Sequence, residues 1–383
     1  MRVYNSIADL RALAQKRVPR AFFEYADRGA LDELTLARNH SDLQAIEFRQ
    51  RIMRDLSQLS VATTMLGLPV AMPLAIAPTG SAGLFYGDGE IHGARAAQSF
   101  GIPYCMSTMS ICSIEDVHEA LKQPFWFQLY LMRDRGFNAE LIARARAAEC
   151  SALMLTVDLT VQGIRRRDAK NGLSIPPRLT LRNALDIATK PAWAMRILRA
   201  KRRTFGNLAL HLKQTSDLRS LSEWIGSQFD PAVTWKDLDW VRSHWPGKLI
   251  IKGILDAEDA KVAATLGIDA IVVSNHGGRQ LDGAPSSISV LHEIVAAVDK
   301  RCEVWFDGGV QSGPDILRAL ALGATACLIG KSYLYALGAL GGPGVTLALN
   351  LLRKELEVTL ALTGCTDVRE VDTRILRHPP DSQ

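Results

Sequence analysis

Between Ser274 and Gly283 the chain reads Ser-Asn-His-Gly-Gly-Arg-Gln-Leu-Asp-Gly, so a histidine, an arginine and an aspartate stand among three glycines. An imidazole titrates near about 6.5, which lets His276 take a proton at neutral pH and return it. The guanidinium of Arg279 can hold an oxyanion through two parallel hydrogen bonds, and glycine lets the backbone come close to a ligand. The chemistry these types allow is acid/base work on an anion. On these ten residues alone, a tight turn with a surface histidine is the alternative.

Other residues extend that chemistry. Asp158 closes the run Leu-Thr-Val-Asp and is a carboxylate able to orient a histidine; a plain loop cap is the other reading. Arg165 opens Arg-Arg-Arg-Asp after Gly163-Ile, where Arg166 and Arg167 read as solvated members of a charge run. Lys252, in Ile-Ile-Lys-Gly, is a cation in an apolar strand and needs an anionic partner, because an unpaired buried charge is costly. A Schiff-base lysine of an aldolase-like lyase is the rival for that position. Asp307-Gly308-Gly309-Val310 and Ile329-Gly330-Lys331 offer glycine amides for a phosphate. No GxGxxG follows a strand, which argues against a nicotinamide-dinucleotide module. The six cysteines show neither a Cys-x-x-Cys pair nor zinc-ligand spacing, so free thiols and no metal site are expected.

These residues need a scaffold, and the apolar pattern supplies one. Eight short runs fall at Leu74–Ala77, Pro103–Met106, Phe125–Leu129, Ala152–Val157, Lys248–Ile251, Ala270–Val273, Glu303–Phe306 and Ala326–Ile329, with helix-like segments between them. Strand then helix, eight times, predicts an α/β fold of the (β/α)8 barrel type. Nearly every run ends in a polar residue or glycine: Thr79, Ser107, Gln128 with Tyr130, Thr156 with Asp158, Lys252, Ser274, Asp307 and Gly330. An open doubly wound sheet would not need chemistry at all eight ends. With 383 residues, nearly half of them hydrophobic, the chain fits one barrel domain over residues 1–383.

Before residue 70 the pattern is helical, with starts expected at Ser6 and Asp32, which predicts an N-terminal helical cap. Ser332 to Leu352 carries no charge, but its glycines and Pro343 fit a strand end, a glycine loop and a helix start better than a membrane span. Residues 162–234 form the one long insertion, read as a lid or a membrane-contact loop. Within it, Arg178 to Arg203 holds eight Lys and Arg against the single acidic Asp186, while the whole chain is only +5. Trp193, Met195, Ile197 and Leu198 interleave with these cations, a mixture suited to an anionic membrane surface. The first residues show no apolar secretory core, so the cytoplasmic side is expected, with peripheral attachment to the inner face of the membrane as an option and no nucleic-acid partner.

Taken together, these motifs resemble the FMN-dependent 2-hydroxy-acid oxidase and dehydrogenase family over almost the whole chain. Phe229-Asp-Pro through Trp235-Lys-Asp-Leu to Gly283 is most similar to its bacterial quinone-linked L-lactate dehydrogenases, with mandelate dehydrogenases next. The resemblance implies FMN as cofactor and oxidation of an L-2-hydroxy acid, foremost L-lactate, to the 2-oxo acid, with electrons passed to quinone or another acceptor. It makes His276 the catalytic base and Asp158 its partner, and places Arg165, Arg279, Tyr25 and Tyr130 on the substrate. Lys252 would stand beside the flavin. Ala77, Pro78, Thr79, Ser107, Gln128, Thr156, Ser274, Asp307, Gly308, Gly309, Gly330 and Lys331 would hold the rest of it. A homotetramer is also implied. Gln311 and Lys331 depart from the arginines common in the family, which predicts looser FMN binding. Gly80 and Met109 leave room for a larger substrate side chain. A lyase and a non-enzymatic hydroxy-acid sensor on the same barrel remain the alternatives of other classes.

Overall fold

The computed structural model describes residues 3–173, 180–209, 224 and 226–379. It begins with three helices, α1 (Ile7–Arg17), α2 (Arg20–Asp27) and α3 (Leu34–Ala45). Ser6 caps α1 as expected, its side chain accepting from the Asp9 amide at 3.1 Å. Asp32 does not start α3. Glu33 adopts a left-handed conformation there, and Asp282, from the loop containing His276, accepts from Asp32 N at 2.9 Å and Thr35 N at 3.0 Å. The aspartate of the glycine-rich loop therefore caps a helix rather than facing a ligand.

An antiparallel hairpin, β1 (Thr63–Met65) and β2 (Leu68–Val70), precedes the barrel, where the helical reading before residue 70 expected no strand. Three-residue strands carry too little alternation to announce themselves. Eight parallel strands follow: β3 (Leu74–Ile76), β4 (Cys105–Ser107), β5 (Trp126–Tyr130), β6 (Ala152–Thr156), β7 (Lys248–Ile254), β8 (Ala270–Val273), β9 (Glu303–Asp307) and β10 (Ala326–Ile329). Their order runs β3-β10-β9-β8-β7-β6-β5-β4, and a parallel bridge between Ile76 and Tyr104 joins β3 to β4. This is the expected (β/α)8 barrel.

Side chains alternate across each strand, so one set fills the barrel and the other meets the helices. Inside lie Ala75, Ala152, Met154, Ile250, Val272 and Leu328, with Trp126 stacked on Trp305 at 5.1 Å between ring centroids. Met65 from the hairpin packs on this inner cluster and closes one end. Outside, Leu129, Ile251, Ile271 and Phe306 join the cluster shared with the helices. Helix starts are set by side chains the sequence displays: Ser113 and Asp116 form a reciprocal capping box, and Asp134, Asp256, Ser286 and Ser312 each accept from amides of the following turn.

Ser332–Leu340 is not a strand end but part of a helix, Lys331–Leu340, which Gly341 (φ 70°) separates from a second helix, Gly342–Leu362. The first of these is wrapped by α1 and the second helix, so it is apolar on every side and shows no helical stripe. Three outer helices, α4 (Gly89–Phe100), α5 (Ile114–Leu121) and α6 (Arg135–Ala147), come before β6; the insertion follows it, and its described part includes α7 (Arg166–Lys170), α8 (Leu181–Ala188), α9 (Pro191–Arg199) and α10 (Gly206–Ala209). Its described part is pinned to the barrel. Arg202 pairs with Asp116 at 2.7 Å, Trp193 Nε1 donates to Leu84 O at 2.8 Å, and Asp186 accepts from Arg20 N at 2.6 Å. Trp193 is thus buried and stacked on Phe22, not available to a membrane, and Arg178 lies outside the described residues.

Candidate active site

The C-terminal ends of the barrel strands open into a cavity of about 830 Å³. Ser274 is the first residue after β8, and its hydroxyl is a three-way junction. It accepts from Lys252 Nζ at 2.8 Å and from His276 N at 3.1 Å, and donates to Asp307 at 2.7 Å. His276 itself sits at φ 58°, a conformation few non-glycine residues adopt, so surrounding contacts must hold it. Its Nδ1 lies 2.9 Å from Asp158 Oδ1, which leaves Nε2 as the free ring nitrogen of a residue that lines the cavity.

Electrostatics set the resting protonation. Burial lowers the His276 pKa below the ordinary 6.5, and Asp158 only partly offsets this, so the ring is neutral at pH 7 and able to accept a proton. Burial would raise Asp158, but His276 and Lys252 outweigh it and keep the carboxylate ionised. Burial likewise works against the Lys252 cation, while Asp307, at 2.7 Å, and Asp158 outweigh it and hold the proton on. Gly253 makes this packing possible: at φ 111°, a Cβ there would meet Asp158 Cβ at 2.7 Å. The β7–β8 register shifts at that glycine.

Two guanidiniums converge on the same cavity. Arg279 Nη1 donates to the carbonyls of Tyr25 and Arg28, its charge lies 4.7 Å from the centre of the Tyr25 ring, and Arg165 Nε donates to Arg279 O at 3.3 Å. Burial first, and then the like charge of Arg165, pull the Arg279 pKa down to about 10. Both are partly buried and share one nearby carboxylate, buried Asp168, 4.0 Å from Arg165 Nη1, so two guanidiniums against a single acid leave positive charge able to take a further anion. Tyr25 and Tyr130 line the cavity beside them, and burial followed by Asp158 keeps the Tyr130 hydroxyl protonated.

A second group of residues forms a deeper cradle. Ala77, Pro78, Thr79, Ser107, Asp307, Gly308, Gly309, Gly330 and Lys331 line the cavity with Lys252, whereas Gln128, Thr156, Ser274 and Asp158 lie just beneath its wall. Ser107 donates to Gln128 Oε1 at 3.0 Å, leaving Gln128 Nε2 and Thr156 Oγ1 buried without a hydrogen-bond partner among the described residues. Such orphans next to Lys252 fit the polar edge of a bound ring carrying carbonyl and imide groups. The helix Lys331–Leu340 starts with no side-chain cap, so its first amides join Gly308 and Gly309 at the place where barrels take a phosphate. Lys331 opens that helix, its Nζ donating to Asp27 O at 3.0 Å, and burial and then Arg279 draw its pKa down to about 7.

Three residues that the sequence did not single out complete the construction. Gln280 bonds the loop that follows β6, and Asn275 and Asn39 exchange amide hydrogen bonds at 2.7 and 2.8 Å, fixing the glycine-rich loop to α3. Gln280 and Asn275 flank the ligand-facing residues in the motif, and polar neighbours of that kind were the available signal.

The chain matches the family model described as FMN-dependent dehydrogenase over residues 14–378. It is 47% identical to the L-lactate dehydrogenase of Caulobacter sp. (strain K31) over 98% of each chain. The structure of the monotopic membrane protein (S)-mandelate dehydrogenase superposes with a TM-score of 0.93 at 36% identity, covering 98% of this chain and 100% of that one. A soluble mutant of the membrane-associated (S)-mandelate dehydrogenase from Pseudomonas putida gives 0.83 at 36% identity, covering 98% and 99%. The orphaned donors, the glycine cradle and the uncapped helix start suit the ring and phosphate of FMN. On its sequence, its barrel and the make-up of that cavity, the chain belongs to the FMN-dependent dehydrogenases.

Proposed function

We propose that the protein oxidises an L-2-hydroxy acid, with L-lactate as the preferred substrate, and passes the electrons to a quinone. The observation that carries this reading is the meeting of His276, backed by Asp158, with Arg165 and Arg279 in one cavity. In this reading the two guanidiniums hold the substrate carboxylate, and Tyr25 and Tyr130 fix its orientation. His276 Nε2 receives the substrate proton, and Asp158 stabilises the imidazolium that results. Bound FMN supplies the two-electron acceptor. Lys252 offers a fixed positive charge on β7, paired across the sheet with Thr156.

L-lactate is preferred on the likeness to the Caulobacter enzymes. Mandelate is the second choice, on the likeness to (S)-mandelate dehydrogenase; Gly80 and Met109 both line the cavity but pack on each other, a Cβ at Gly80 lying 3.2 Å from Met109 Cβ, so the expected room beside Gly80 is taken by Met109. Anaerobic bleaching of the flavin by lactate, glycolate, mandelate and longer hydroxy acids decides between them. Lactate should bleach fastest at equal concentration; faster bleaching by mandelate would reassign the substrate, and no bleaching by any would remove the enzyme reading. The homotetramer is proposed on the family resemblance alone, and light scattering of the purified holoenzyme tests it.

Lys331 is proposed as the main side-chain charge on the FMN phosphate, because Gln311 at the neighbouring strand end carries none. Lys331→Ala should therefore purify partly colourless and regain its activity when FMN is added. Full flavin occupancy would place that charge elsewhere.

Peripheral docking on a membrane is proposed from the insertion. No described helix is long and apolar enough to cross a membrane. Leu181 with Leu185, and Met195 with Leu198, are exposed at helical spacing on α8 and α9, beside exposed Arg182, Arg199 and Lys201. Arg202 and Arg196 are engaged with Asp116 and Tyr86 and belong to the fold. Changing Leu181, Leu185, Arg199 and Lys201 together to Gln should release the enzyme from vesicles of anionic lipid and lower quinone turnover, with anaerobic bleaching intact. Equal vesicle binding by both forms would end the docking proposal.

A further inference from the structure

Residues 158–165 carry Asp158 at one end and Arg165 at the other, and no helix or strand runs between them to hold either in place. The only regular structure nearby ends at Thr156 and resumes at Arg166. Asp158 and Arg165 must nevertheless be fixed to within a fraction of an ångström, since a displacement of about 1 Å can cost about 100-fold in rate.

Gln280 meets that need with its whole side-chain amide. Its Nε2 donates to Asp158 O at 2.8 Å and to Val161 O at 3.0 Å, and its Oε1 accepts from Gly163 N at 3.2 Å and from Arg165 Nη2 at 3.5 Å. Both donor hydrogens and both acceptor positions are thus spent on one loop. Gly163 lets that loop come close enough: a Cβ there would meet Arg279 O at 2.6 Å and Gln280 O at 2.8 Å. The same approach allows Arg165 Nε to reach Arg279 O at 3.3 Å.

We propose that Gln280 is a positioning residue that splints the loop after β6 to the loop after β8, setting Asp158 against His276 and Arg165 beside Arg279 at once. Through it, proton acceptance and carboxylate binding share a single brace. The inference rests on the roles proposed for Asp158 and Arg165, and Gln280 itself does not line the cavity.

The test uses the FMN-loaded enzyme with anaerobic L-lactate, comparing Gln280→Ala, Gly163→Ala and the double variant, with Asp158→Asn and Arg165→Met as references. Each of Gln280→Ala and Gly163→Ala should raise KM for L-lactate and the dissociation constant of pyruvate about tenfold or more, with a smaller fall in the limiting rate of bleaching. Because both loosen the same contact, the double variant should be little worse than the poorer single one. Unchanged KM in Gln280→Ala, with Asp158→Asn and Arg165→Met impaired, overturns the splint and leaves the site reading standing. Fully additive effects in the double variant overturn it as well. Normal bleaching in Asp158→Asn and Arg165→Met would instead overturn the site reading, and the splint with it. Melting of the holoenzyme separates these cases from unfolding: a splint variant that keeps its FMN and its transition temperature yet loses lactate affinity has lost position, not fold.

Discussion

His276→Ala is expected to keep FMN bound while anaerobic bleaching by hydroxy acid slows by roughly 10²- to 10⁴-fold, the span associated with losing a positioned acid/base group. The ring is tethered at Nδ1 by Asp158 at 2.9 Å and through its backbone amide by Ser274 at 3.1 Å, so its free nitrogen has little room to be anywhere but the cavity. Flavin retention is expected because the imidazole bonds Asp158 and lies apart from the cradle of Gly308, Gly309 and Lys331. A pH profile adds a second readout. The base must be unprotonated to work, and burial lowers its pKa below 6.5 against the pull of Asp158. Wild-type kcat/KM should therefore be level through neutral pH and fall, on acidification, only below the range of a free imidazole. Asp158→Asn removes the one charge that raises the histidine, so the acid limb should move lower still while the rate drops for want of an oriented ring. Near-normal bleaching by His276→Ala, or an acid limb above 6.5 in the wild type, would remove His276 from the role.

The barrel and most of the residues that gather around its cavity were legible along the chain for a physical reason. In a parallel barrel each strand is short, buried on both faces and followed by a residue at the working end, so Ala270–Val273 and then Ser274 to Gly283 appear in the sequence as a compact apolar run and a polar motif. What stayed hidden depended on partners distant in sequence. The hairpin at Thr63–Val70 is visible only through the barrel end it closes. Asp282 reads as one more ligand-facing group until α3 arrives to be capped by it, 247 and 250 residues away in sequence. Gly253 gives no sign of its use in the sequence, which is to admit the Asp158 side chain from the loop after β6. Trp193 reads as an interfacial aromatic, yet the turn holding Leu84 O supplies a hydrogen-bond acceptor and Phe22 a stacking face, and together they bury it. Composition gives the character of a segment; only its neighbours decide which face is used.

Lys252→Met should have the larger effect on stability, and its outcome separates two roles for that lysine. The side chains of Lys252 and Asp307 are 5% and 13% exposed and meet at 2.7 Å, so removing the cation leaves a carboxylate buried with, among the described residues, only the Ser274 hydroxyl as its polar partner. Breaking such a pair costs about 3–5 kcal/mol, which denaturant unfolding of the variant would register as a lowered midpoint. Adding Asp307→Asn removes the uncompensated charge, and part of that loss should return, because replacing both members of a buried pair is far milder than replacing one. If Lys252 served only as counter-ion to Asp307, bleaching by L-lactate would recover in the double variant along with stability. We expect it not to recover. Lys252 is also paired with Thr156 across β6 and β7, and the unpaired Oγ1 of Thr156 and Nε2 of Gln128 are neutral, so neither can replace a cation that favours negative charge on the bound ring. Stability regained with bleaching still slow in Lys252→Met/Asp307→Asn assigns the lysine to the chemistry; recovery of both together assigns it to the fold.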